Sequence, residues 1–180
     1  MASSVIDLRL GVFALALPLP CALLPALSCG GGAAGGRPLS HAMMESASCG
    51  DVAGCSTRCN EDGDAPSCHA VGVMYETGTG APQDYGKAKD FYARSCERGD
   101  ARGCNDLGVL YEIGLGSAPD YAHAATLYAR ACTGGDAEGC ANLALRYDEG
   151  VGVPKDTVRA RDLRRNACRL GVQHACRSDE

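Results

Sequence analysis

Cys104 to Gly139 reads CNDLGVLYEIGLGSAPDYAHAATLYARACTGGDAEG, and the same frame occurs on either side of it. Cys68 to Gly103 reads CHAVGVMYETGTGAPQDYGKAKDFYARSCERGDARG, and Cys140 to Ala175 reads CANLALRYDEGVGVPKDTVRARDLRRNACRLGVQHA. Cys176 opens the frame again. The period is 36 residues with no insertion, the mark of stacked supersecondary units.

Each unit predicts two helices. Leu107, Gly108 and Tyr111 share one stripe of a first helix, helix A. Gly114 and Gly116 stop it, as do Pro82 and Pro154 in the flanking copies. Asp84, Asp120 and Asp156 recur in one frame as N-caps of a second helix, helix B. Helix B places Ala88/Phe91, Ala124/Leu127 and Ala160/Leu163 on one face. It runs to Cys96, Cys132 and Cys168, and Gly99, Gly135 and Gly171 break it. The small Gly72, Gly108 and Ala144 predict close approach of helix B to helix A. The fold expected is all-α, an α/α solenoid of three helix-pair repeats.

The run Leu107-Gly108, Tyr111, Gly114, Gly116, Asp120, Ala124 resembles the Sel-1-like repeat, a relative of the tetratricopeptide repeat. The extra cysteine pair in each unit is similar to the Helicobacter cysteine-rich branch, secreted solenoids stapled by disulfides. The match spans Cys68 to Cys176, with Ala144 in place of the third Gly and Thr157 in place of a Tyr. It implies an adaptor or scaffold. Because members of the cysteine-rich branch are often labelled β-lactamases or penicillin-binding, it also implies a second reading, a weak β-lactam hydrolase.

Upstream of the repeats the chain changes character. Residues 1–28 read as a secretory signal, with an apolar run Leu10–Leu17 too short and too Pro-flanked to span a bilayer. Ala26-Leu27-Ser28-Cys29 resembles a bacterial lipobox, which makes Cys29 the lipidation candidate; ordinary cleavage nearby is the alternative. Residues 29–48 are a Gly/Ala-rich tether, too poor in apolar surface to order itself. Residues 49–67 form an N-terminal cap with one short helix over Val52–Arg58, the repeats occupy 68–103, 104–139 and 140–175, and 176–180 is a polar tail.

Of the twelve cysteines, removing Cys21 with the signal and acylating Cys29 leaves ten. Two pairing schemes fit a helix pair. Linking its two ends gives Cys68–Cys96, Cys104–Cys132 and Cys140–Cys168. Linking helix B to the next helix A gives Cys96–Cys104, Cys132–Cys140 and Cys168–Cys176. Only the second uses Cys176, and Cys59–Cys68 and Cys49–Cys55 then complete the set. Five bridges require an oxidising compartment, so the expected location is the bacterial envelope (periplasm or outer membrane, lipid-anchored) or the exterior.

The chemistry-bearing residues are sparse. There is no G-x-S-x-G, S-x-x-K, HExxH or Walker loop, and no cofactor is expected. Cys55-x-x-x-Cys59 could pass for a zinc pair, but the cysteines follow the unit boundaries and His69, His123 and His174 fall at different repeat positions. The net charge of −5 argues against nucleic acid as partner. Arg159, Arg161, Arg164, Arg165 and Arg169 crowd the last helix B, either as a solvated face or toward an anionic partner.

One helix A face is left, at one, five and eight residues after the opening Cys: His69, Val73, Glu76; Asn105, Val109, Glu112; Ala141, Leu145, Asp148. Helical-pair repeats use this face as a concave groove. The acids Glu76, Glu112 and Asp148 are either solvated helix ends or, with His69 and Asn105, a groove for a protein or extended peptide with positive groups. A peptidoglycan-related ligand is the envelope alternative, and a membrane would be reached only through the lipid anchor.

Overall fold

The structure is a computed structural model that describes residues 49–177. The signal, the tether and Cys29 lie outside the described residues, as do residues 178–180. Among the described residues there are seven α-helices and no strand. They are α1 (Val52–Glu61), α2 (Ala65–Thr77), α3 (Tyr85–Glu97), α4 (Ala101–Ile113), α5 (Tyr121–Thr133), α6 (Ala137–Glu149) and α7 (Thr157–Arg169), followed by a 3-10 turn over Gln173–Arg177. None of these helices is long and apolar enough to cross a membrane.

Helices α2, α4 and α6 are the A helices; α3, α5 and α7 are the B helices. Each helix packs on the ones before and after it in sequence, and α4 also touches α6, so the A helices form the more closely spaced side. Asp84, Asp120 and Asp156 cap the B helices, accepting from the Lys87, His123 and Arg159 N–H at 3.0, 2.9 and 2.9 Å. Such a cap contributes about 1 kcal/mol. Asp64, Asp100 and Asp136 cap the A helices in the same way, so each A helix begins three residues before its cysteine.

The turn between A and B is closed by the capping Asp itself. The N–H of Asp84, Asp120 and Asp156 donates to the carbonyl of Tyr75, Tyr111 and Tyr147 at 2.9, 2.9 and 2.8 Å. Gly114 ends α4 in the left-handed region, φ 80°, where a side chain would be strained. The second glycine of the loop has another task. Gly152 (φ 74°) lies on the start of α5, where an added Cβ would sit 2.2 Å from the Tyr121 carbonyl oxygen. The G-x-G pair therefore turns the chain and lets one repeat rest on its predecessor.

The core runs along the stack, with Tyr92, Leu107, Leu110, Leu127 and Ala131 in one buried cluster and Ala124, Ala125, Tyr128 and Leu143 in the next. All ten described cysteines are paired: Cys49–Cys55, Cys59–Cys68, Cys96–Cys104, Cys132–Cys140 and Cys168–Cys176. Cys96–Cys104 and Cys132–Cys140 join helix B to the next helix A, Cys59–Cys68 joins α1 to α2 and Cys168–Cys176 joins α7 to the 3-10 turn; none links the two ends of one hairpin. Small neighbours permit this approach: a Cβ on Gly103 would lie 2.5 Å from Ser95 Oγ, and one on Gly139 2.5 Å from Ala131 Cβ.

Candidate binding groove

The A helices bring two of the candidates, His69 and Asn105, into one polar line. His69 Nε2 on α2 lies 2.7 Å from Asp106 Oδ2 on α4. Asn105 Nδ2 donates to Asp106 Oδ1 at 3.2 Å, and Asn105 Oδ1 accepts from Asn142 Nδ2 on α6 at 2.9 Å. His69 and Asn105 are thus largely committed to holding neighbouring A helices in register. Asp106 and Asn142, two residues after the opening Cys, share that task. The sequence marks them only weakly, because the first unit carries Ala70 there.

The three acids each meet a residue from the paired helix B, 16 positions on. The Tyr92 hydroxyl donates to Glu76 at 2.5 Å and the Tyr128 hydroxyl to Glu112 at 2.8 Å, whereas Arg164 makes an ion pair with Asp148. The rings pass directly over glycine: a Cβ on Gly72 would be 2.5 Å from Tyr92 Cδ1, and one on Gly108 2.7 Å from Tyr128 Cε1. Burial, and then the adjoining carboxylate, push both phenols far above their ordinary titration range, so they remain donors.

The charge of the acid stripe is uneven as a result. Glu76 meets only a neutral phenol. Glu112 also faces Arg146, whose Nη1 lies 3.4 Å away and whose Nη2 lies 3.1 Å from Glu149. Asp148 is balanced by Arg164. Arg146 was not foreseen from the sequence, because its partner Glu112 sits on the neighbouring repeat.

Beside the acids runs an apolar strip. Val73 and Val109 are half-buried and Leu145 is 48% exposed. Ile113, one turn beyond Val109, continues the strip and is 61% exposed. It was missed because Thr77 and Glu149 hold its position in the other units. An apolar strip flanked by hydrogen-bonded polar groups and carboxylates can hold an extended chain through side-chain contacts and charge.

Other candidates are accounted for locally. Arg159 donates to the Tyr147 hydroxyl at 3.0 Å and lies over its ring. Arg165 pairs with Asp162 at 3.8 Å, and Arg169 bonds Asn166 at 3.3 Å. His123 meets the edge of the Tyr111 ring. Among the described residues no group of three or more His, Cys, Asp or Glu is placed to hold a metal. The buried serines have structural bonds: Ser67 Oγ donates to Asp64, and Ser95 Oγ donates to the Ala65 carbonyl at 3.0 Å.

The comparisons with known proteins agree with this geometry. No curated protein sequence matches the chain significantly. The crystal structure of a protective antigen from uropathogenic Escherichia coli strains, displaying an SLR fold, is similar at TM-score 0.63 and 32% identity over 66% of this chain and 26% of that one. A Sel1 repeat protein from Oxalobacter formigenes shares the fold at TM-score 0.64 and 23% identity, over 68% of this chain and 51% of that one. The chain therefore spans only part of either protein. Helicobacter pylori cysteine rich protein B matches at TM-score 0.55 and 28% identity, over 76% of this chain and 91% of that chain. Likeness to that cysteine-rich protein, with five disulfides here, points to an extracytoplasmic protein. The Sel1 repeat model matches residues 65–100, 101–136 and 137–172, each opening at the first residue of an A helix; the chain belongs to the Sel1 repeat family.

Proposed function

We propose that this protein is an extracytoplasmic interaction scaffold that holds an extended peptide segment of a protein partner along its A-helix groove. The observation that carries this is the apolar strip of half-buried Val109 and exposed Ile113 and Leu145 beside the carboxylates Glu76 and Glu112. An exposed Ile and Leu on one face of a stapled scaffold form a surface suited to being covered. The Glu76 carboxylate, with only a phenol beside it, favours a Lys or Arg from the partner. The polar line from His69 to Asn142 keeps the A helices in register, so little ordering is needed on binding.

The leader and Cys29 support an envelope setting in which the Gly/Ala-rich tether holds the repeats away from a lipid anchor; peptidoglycan-linked peptides are among the ligands available there. The test is capture from a random peptide library by the oxidised protein. Peptides carrying Lys or Arg next to apolar residues should be enriched, and their retention should fall as salt is raised. Leu145→Asp and Ile113→Asp, both at exposed positions, should abolish retention without changing the helix content. Retention unaffected by both substitutions would sink the groove.

A further inference from the structure

Independently of the groove, we propose that the bridge Cys168–Cys176 is a thiol–disulfide exchange site whose substrates are small thiols that carry a carboxylate. Its place in the stack sets it apart. Each bridge between two helices is covered by a polar side chain from the helix B that follows. Arg98, at the end of α3, puts Nη1 3.4 and 2.8 Å from the sulfurs of Cys59 and Cys68. Arg130 of α5 reaches over the next junction and donates to the Cys96 carbonyl at 3.1 Å. Asn166 of α7 puts Nδ2 3.5 and 3.3 Å from the sulfurs of Cys132 and Cys140. The N-terminal bridge Cys49–Cys55 ends on a fully buried Cys55. Among the described residues no helix B follows Cys168–Cys176, and Cys176 is the one exposed cysteine.

A cleft of about 600 Å³ opens over this bridge, lined by Asp162, Arg165, Cys168, Arg169, Ala175 and Cys176. None of these residues lies on an A helix. Asp162 lies 3.8 Å from Arg165, whereas Arg169 bonds the neutral Asn166 amide at 3.3 Å. With two guanidiniums and one carboxylate, the lining is net positive. Such a cleft concentrates anions, so a thiol bearing a carboxylate is drawn toward the bridge ahead of a neutral one.

The exchange needs no further reagent. The incoming thiolate attacks the exposed Cys176 Sγ and forms a new S–S bond; the old bond breaks, and Cys168 leaves as a thiolate. A helix C-terminus by itself disfavours an anion, so this departure depends on Arg165, one turn earlier, and Arg169, the next residue. A second thiolate then attacks the mixed disulfide at the sulfur of the first thiol, and Cys176 leaves as a thiolate. Two thiols are oxidised to one disulfide, the bridge is reduced, and its two sulfurs take up the two protons that the thiols lost. The terminal turn stays docked, because Val172 and Ala175 are buried with Ala141 and Ala167. Reduction here therefore leaves the stack standing.

The experiment treats the oxidised full-length protein with N-acetyl-cysteine or with N-acetyl-cysteine amide, at matched thiolate concentration. Free thiols are trapped with iodoacetamide at intervals, and peptide mass mapping follows each bridge separately. Cys176 should appear first as the mixed disulfide, with Cys168 alkylated, before any other bridge opens. The acid should react about tenfold faster than the amide at low ionic strength, and the advantage should fade as salt is raised. Arg165→Gln/Arg169→Gln, at two exposed positions, should bring the acid down to the rate of the amide, with circular dichroism checking the helices. Another bridge opening as early, no opening at all, or equal rates for acid and amide in the unaltered protein would overturn the site. So would a preference for the acid that survives the double substitution. If that variant does not fold, the comparison of acid with amide on the unaltered protein still decides.

Discussion

The first two repeats and the third solve one packing problem with different residues. In repeats 1 and 2 the seam between helices A and B is Gly–Tyr–Glu: Gly72, Tyr92, Glu76 and Gly108, Tyr128, Glu112. In repeat 3 it is Ala144, Arg164, Asp148. The flat ring needs a glycine beneath it. The Arg164 side chain leaves room for a Cβ, and Ala144 is fully buried there. Both versions reach an acid on helix A, one through a neutral hydroxyl and one through a charge. The seam is thus a coupled set of three positions.

The largest test of this contrast removes the staples. Cys132→Ala/Cys140→Ala opens the junction between repeats 2 and 3, and Cys168→Ala/Cys176→Ala frees only the terminal turn. Both bridges have a sequence separation of 8, so loop entropy alone predicts a similar loss, about 2.5 kcal/mol each. Urea melts should show a greater loss at the inner junction, where Gly139 is pressed against Ala131. A smaller loss there would mean that the repeats hold together without help.

Next comes Gly108→Ala. Its Cβ would meet two Tyr128 ring carbons at 2.7 and 2.9 Å, and overpacking of this kind costs about 2 kcal/mol. The reverse change, Ala144→Gly, should cost about 1 kcal/mol from helix propensity alone. Thermal denaturation of the two variants side by side checks the difference, and equal losses would dissolve the distinction between the seams.

A double-mutant cycle sharpens it further. Arg164→Tyr alone sets a ring against the Ala144 Cβ, and adding Ala144→Gly should recover about 1 kcal/mol beyond additivity. Additive behaviour would refute the coupling.

The smallest effect concerns the A-helix caps. Burial raises the Asp136 carboxyl, the Gly139 N–H offsets part of this, and the charges of Asp106, Glu138 and Asp100 add to it. A carboxylate held above its unfolded value costs stability at neutral pH, and the cost fades as pH falls toward its folded pKa. Burial pushes Asp100 the same way, but the hydrogen bond and charge of Arg102 outweigh it and leave the group lowered. Its contribution is present at neutral pH and is lost as acid protonates it. Asn still caps a helix, so Asp136→Asn should gain a few tenths of a kcal/mol at pH 7 and nothing in acid. Asp100→Asn should lose stability at pH 7. Urea melts at the two pH values read both signs.

Much of the fold was legible because the repeat is strict. Asp84, Asp120 and Asp156 share a frame, and the odd position of Cys176 discriminates between the two cysteine pairings. The short helix expected over Val52–Arg58 was found, extended to Glu61. The A-helix starts were less visible, since Asp64, Asp100 and Asp136 fall in the frame's closing residues, next to glycines that suggest a loop. The groove was legible only as a face. Gly72 and Gly108 announced a close neighbour, but the ring that fills the space arrives twenty residues later from the opposite helix. Arg146 and Glu112 meet only because two repeats stack, and no spacing within one unit encodes that encounter.

The bridges also set where this chain can be cut. Each hairpin of helices A and B is one packing unit, yet the disulfides Cys96–Cys104 and Cys132–Cys140 belong to the B-to-A junctions between hairpins. The covalent units and the packed units are offset by half a repeat, like courses of brick. A protease that cuts between Cys96 and Cys104 leaves the two ends joined through sulfur. One that cuts the open turn at Gly114–Pro119 leaves α4 and α5 held by their buried seam. No single cut within the stack releases a fragment until the protein is also unfolded or reduced.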